Sequence, residues 1–90
     1  MNGKTHQFGL ADRLRAAREG AGYDQSGLAD ALGISRGSVH NYETGRTVPR
    51  RPVLATWAAV TGYDLHWLET GQEPGPGRTR DPRARELVGV

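Results

Sequence analysis

The chain has 90 residues, no cysteine and a formal net charge of +2. That length fits one small domain, and the missing cysteine excludes disulfide frameworks, thiolate nucleophiles and cysteine-based zinc sites. No apolar run approaches the roughly 20 residues that a bilayer requires, and "MNGKTHQFGL" lacks the apolar block of a secretory signal, so the chain is expected in the cytoplasm.

From Phe8 to Ala21, the residues Leu10, Leu14, Ala17 and Ala21 recur at spacings of four, three and four. Asp12, Arg13, Arg15 and Arg18 fill the positions between them, which is the pattern of an amphipathic helix with a charged outer face. Gly20 and Gly22 end it. Asp24 can then cap the free amides of a second helix, Gln25 to about Leu32, which buries Leu28, Ala29 and Leu32. Its interior Gly27 costs about 1 kcal/mol relative to alanine, so this helix depends on packing rather than propensity. Gly33 closes it and Ile34 packs in the turn.

Ser35 is the N-cap of a predicted third helix, Arg36 to about Thr44, with Val39 and Tyr42 facing inward and Gly45 as its stop. An extended "RTVPRR" follows, and Pro52 suits the first turn of a fourth helix carrying Val53, Leu54, Trp57, Ala58 and Val60 up to Gly62. Asp64 caps a fifth, "LHWLET", which Gly71 ends. Both tryptophans fall in these last two helices, where they can close the bottom of the core. Beyond Gly71 the "GQEPGPGRTRDPR" stretch places proline and glycine at intervals that no helix or strand accepts. The predicted organisation is therefore a flexible N-terminus over 1–7, a helical domain over 8–71 and a Pro/Gly/Arg-rich tail over 72–90.

The third helix differs from its neighbours. Its outward positions, Arg36, Gly37, His40 and Asn41, are rich in hydrogen-bonding groups and hold no bulky apolar side chain. Between Leu32 and Pro52 the chain carries Arg36, Arg46, Arg50 and Arg51 against a single acid, Glu43. Two short helices joined by a glycine-containing turn, the second with a polar outer face, form a helix-turn-helix pattern. A helix about 10 to 12 Å across fits a DNA major groove, and side chains near its N-terminus then reach base edges.

The stretch Leu10 to Gly71 resembles the helix-turn-helix family of phage Cro and repressor proteins, also called the XRE family. The likeness rests on "LRAARE", "DQSGLADALGISRGSV", "YETGRTVP" and "WLETG" in this order and spacing. The resemblance implies an all-α, five-helix, lambda-repressor-like fold and a phage or prophage origin. It also implies site roles. Gln25 matches a glutamine that bonds a backbone phosphate and braces the recognition helix. Arg36, Gly37, His40 and Asn41 match base-reading positions, while Ser35, Ser38, Arg46, Arg50 and Arg51 match positions on the phosphate backbone. Glu43 matches an acid that pairs with an arginine of the first helix, here Arg18. The chain departs from the family at Ser26 and Gly27, where two acids are common, and at Gly37, where a long polar side chain often stands.

The expected partners are a double-stranded DNA operator and a second copy of the chain, since two half-sites a helical turn apart multiply affinity. The fifth helix around Leu65, Trp67 and Leu68, with the tail, is the candidate dimer surface. The alternative reading is a protein-binding adaptor on the same fold, such as an antitoxin or antirepressor. Catalysis finds little support: His6, His40 and His66 lack metal-ligand spacing, and there is no phosphate-cradling glycine loop or nucleophile elbow. No catalytic residue, metal, cofactor, membrane contact or small-molecule substrate is expected.

Overall fold

The computed structural model describes residues 8–72. They form five helices and, among the described residues, no strand: α1 (Leu10–Gly20), α2 (Gln25–Leu32), α3 (Arg36–Glu43), α4 (Arg51–Thr61) and α5 (Leu65–Thr70). The predicted all-α fold is therefore observed, while the expected flexible N-terminus over 1–7 and the tail from residue 73 on lie outside the described residues.

Three of the five helix starts are set by the side chains that the sequence pointed to. Asp24 Oδ1 accepts from Gly27 N at 2.7 Å, Ser35 Oγ from Ser38 N at 3.0 Å, and Asp64 Oδ2 from Trp67 N at 2.9 Å. Each satisfies an amide that the first helical turn leaves without a backbone partner, for about 1 kcal/mol. The turn between α2 and α3 needs Gly33, whose φ of 74° lies in the left-handed region. That conformation lets Ile34 N bond Ala29 O at 3.0 Å and Gly33 N bond Asp30 O at 3.2 Å, so the end of α2 is closed just where α3 begins.

The core gathers Leu14 and Ala17 of α1, Leu28 and Ala29 of α2, Val39 of α3, Leu54, Trp57 and Ala58 of α4, and Trp67 and Leu68 of α5. Trp57 is its largest fully buried side chain. Its indole N–H donates to Leu14 O at 3.1 Å, and its ring meets Tyr42 edge-on at a centroid separation of 6.3 Å. Burying such an aromatic contributes the order of 3 kcal/mol, with its one polar atom satisfied. Because Val39 and Tyr42 pack into this centre, α3 is fixed with its other face toward solvent.

The structure corrects several sequence expectations. The first helix is shorter than Phe8 to Ala21: Phe8 lies outside α1 and is 59% exposed, and Ala21 is its C-cap. Arg13, expected on the outer face, is 9% exposed. Its Nε donates to Leu68 O at 2.9 Å, Nη2 to Glu69 O at 3.2 Å and Nη1 to Phe8 O at 3.4 Å. A guanidinium with five donors can be buried where carbonyls converge, and here it covers the last carbonyls of α5. Burial lowers its pKa, and neighbouring Asp12 acts in the opposite direction. The fourth helix begins at Arg51, which puts Pro52 in its first turn as expected and takes Arg51 out of the loop. Trp67 and Leu68, offered as a dimer surface, are buried inside the chain at 3% and 0% exposure, so neither side chain is free for a partner. No helix among the described residues is long and apolar enough to cross a membrane.

Candidate nucleic-acid interface

The site is built on α3, which has two chemically different sides. Val39 and Glu43 face inward and are buried, whereas Arg36, Gly37 and His40 are exposed and Ser38 and Asn41 are half-buried. An eight-residue helix held on one side by the core presents the other as a rigid edge. At its start Ser35 Oγ both caps Ser38 N and donates to Ser38 Oγ at 3.0 Å, so the two hydroxyls that the resemblance assigns to phosphate are locked together. Gly37 leaves open space: a Cβ added there would find only Ser35 Oγ, at 3.8 Å. The helix backbone is thus accessible at its first turn.

Beneath α3 sits an ion pair that fixes its height above the core. Arg18 Nε donates to Glu43 Oε2 at 2.7 Å and Nη2 to Oε1 at 3.0 Å, a two-pronged contact, while Nη1 donates to Tyr23 O at 3.0 Å. Gln25 Nε2 donates to Glu43 Oε1 at 3.2 Å. One carboxylate therefore ties α1 and the start of α2 to the end of α3. The hydrogen bond to Glu43 raises the Arg18 pKa, and this outweighs the desolvation that opposes it. Gln25 faces the fold's interior with its amide nitrogen.

The loop after α3 is pinned as well. Arg46 N and Thr47 N both donate to Asn41 O, at 2.9 and 3.3 Å, and Pro49 is buried. Arg46, Thr47, Val48 and Arg50 are exposed around these anchors. Arg36, Arg46 and Arg50 have no acidic partner among the described residues, so their charge is presented to solvent. Arg51 is different. It stands at the start of α4, not in the loop, and its Nε donates to Glu69 Oε2 of α5 at 2.7 Å, which raises its pKa. Of the residues named from the sequence, the structure brings Ser35, Arg36, Gly37, Ser38, His40 and Asn41 onto one helix and fastens Arg46 to that helix through the backbone. It places Gln25 and Glu43 together underneath. The exposed Thr47 and Val48 stand on the same loop and are absent from the sequence-derived set, although an apolar side chain among arginines is a signal in the sequence.

The sequence profile of a family described as a helix-turn-helix domain matches residues 9–65. The chain is 32% identical over 62 residues to the SPbeta prophage-derived uncharacterized HTH-type transcriptional regulator YonR of Bacillus subtilis (strain 168). That match covers 69% of this chain and 57% of the relative, so the chain spans little more than half the relative's length. Its fold is similar to a chain of a solved complex of SinR protein and SinI protein, with a TM-score of 0.65 and 23% identity over 89% of this chain and 75% of that one.

Proposed function

The chain belongs to the helix-turn-helix domain family, and from that premise we propose that it is a DNA-binding transcriptional regulator that inserts α3 into the major groove of an operator. The observation that carries this reading is the outer edge of α3: a capped, exposed N-terminal turn with Arg36 unpaired, beside two further unpaired arginines on a loop tied to the same helix. Residues 8–71 are the DNA-binding unit in this proposal.

Arg36 can make a two-pronged contact to guanine and Asn41 to adenine, each giving about 1–3 kcal/mol of discrimination. His40 and the bare backbone at Gly37 complete the base-reading edge. Ser35, Ser38, Arg46 and Arg50 serve the phosphates, which set register without reading sequence. Gln25, held by Glu43, and Arg51, held by Glu69, serve phosphate from the margins, and Arg51 shares its guanidinium between the carboxylate and the DNA. Like the prophage regulator it resembles, the chain acts on transcription, as a Cro-like protein or small repressor, and as a homodimer on paired half-sites.

Selection from randomised duplex DNA, followed by titration of the enriched site across salt with wild type and Arg36→Ala, tests this. A paired motif, bound with a steep log-linear salt dependence and lost in the variant, is the expected result. Weak, uniform binding without an enriched motif would overturn it and favour a protein-binding adaptor.

A further inference from the structure

We infer that Val48 is a DNA contact in its own right, an aliphatic side chain that packs on the deoxyribose wall of the backbone between the phosphates taken by Arg46 and Arg50. The inference rests on the DNA-binding reading above and assigns that interface a component that does not depend on charge. Val48 is 74% exposed, more than any other large apolar side chain among the described residues. A single exposed valine is ordinary on a protein surface. This one is distinguished by how firmly it is held and by what flanks it.

On its N-terminal side, Arg46 N and Thr47 N are both fixed to Asn41 O. On its C-terminal side Pro49 is buried, and the residue before a proline is confined to extended backbone. A β-branched side chain is also stiff about its first torsion. The apolar group is thus presented in one orientation, and little conformational entropy remains to be lost on contact. Its neighbours two positions either way, Arg46 and Arg50, are exposed cations without an acidic partner among the described residues. A nucleic-acid strand alternates anionic phosphate with largely apolar sugar, and cation, aliphatic group, cation is the complementary order along the loop.

The test uses the full chain and the site obtained by selection, with affinity measured by fluorescence anisotropy across a salt series. Val48→Thr keeps the branched shape and replaces a methyl with a hydroxyl. It is expected to weaken binding about three- to tenfold at every salt concentration, with the slope of log affinity against log salt unchanged. Arg46→Ala, in contrast, is expected to flatten that slope by about 1. Circular dichroism melting of Val48→Thr should match wild type, since the side chain is outside the core.

Wild-type affinity in Val48→Thr, or a loss that comes with a changed slope, would overturn the inference while leaving the DNA-binding reading intact. So would a loss that tracks a change in dimer mass by ultracentrifugation, which would assign Val48 to a contact between copies. If the wild-type chain bound no duplex at any salt concentration, both readings would fall together.

Discussion

Arg13 and Arg18 of α1 carry the same charge as the arginines of α3 and its loop and do opposite work. Arg18 is buried against Glu43 with all three guanidinium nitrogens engaged, and Arg13 is buried against three carbonyls. Arg36, Arg46 and Arg50 are exposed and have no acid beside them among the described residues. The difference lies in where the acceptors are. In the first group the fold supplies them, so the charge is consumed in holding helices together. In the second the fold withholds them, so the charge is left for something outside. The same logic divides α3 along its length, with Glu43 committed inward and Arg36 outward.

Substitutions on either side should separate these roles. Glu43→Ala strands the buried Arg18 guanidinium and removes the acceptor of Gln25; it is expected to cost about 3–5 kcal/mol in urea unfolding. A variant that unfolded at the wild-type midpoint would show that the Arg18 to Glu43 pair does not hold the helices together. Arg13→Ala frees three carbonyls and exposes apolar surface under the lost stem, an expected loss of about 2 kcal/mol. Hydrogen exchange should show the effect concentrated in α5 amides. Arg36→Ala should leave the unfolding midpoint in place and remove about 1–3 kcal/mol of discrimination at one base position, read by competition between operator variants. Gly37→Ala is the smallest: up to about 1 kcal/mol of added helix stability, because the site is open, together with weaker DNA binding if backbone and groove meet closely. Unchanged affinity in Gly37→Ala would mean that the first turn of α3 stands off from the bases.

Much of the fold was legible because local rules and tertiary packing agree. Asp24, Ser35 and Asp64 cap the helices that they were expected to cap, and the apolar positions of α2, α3 and α4 supply the core. The Arg18 to Glu43 pair follows from the family resemblance, and the two side chains stand 2.7 Å apart. Arg13 was not legible, since helical periodicity assigns a charge between apolar positions to solvent. Its burial depends on where α5 ends, 55 residues further along, which no local pattern encodes. The same distance problem misplaced Trp67 and Leu68: a short amphipathic helix does not announce whether its apolar side meets its own domain or another copy. Arg51 reads as a loop cation in the sequence, but Glu69 of α5 lies against it, far along the chain.

The Arg13 clamp has a consequence for the layout of the chain. A single guanidinium touches Phe8 at the start of the described domain and Leu68 and Glu69 near its finish, and a Cβ added at Gly71 would lie 3.1 Å from its Nη1. The domain is therefore almost a closed ring. A few residues of linker would join Phe8 to Gly71, so a permutant of residues 8–71 closed by such a linker should retain the core.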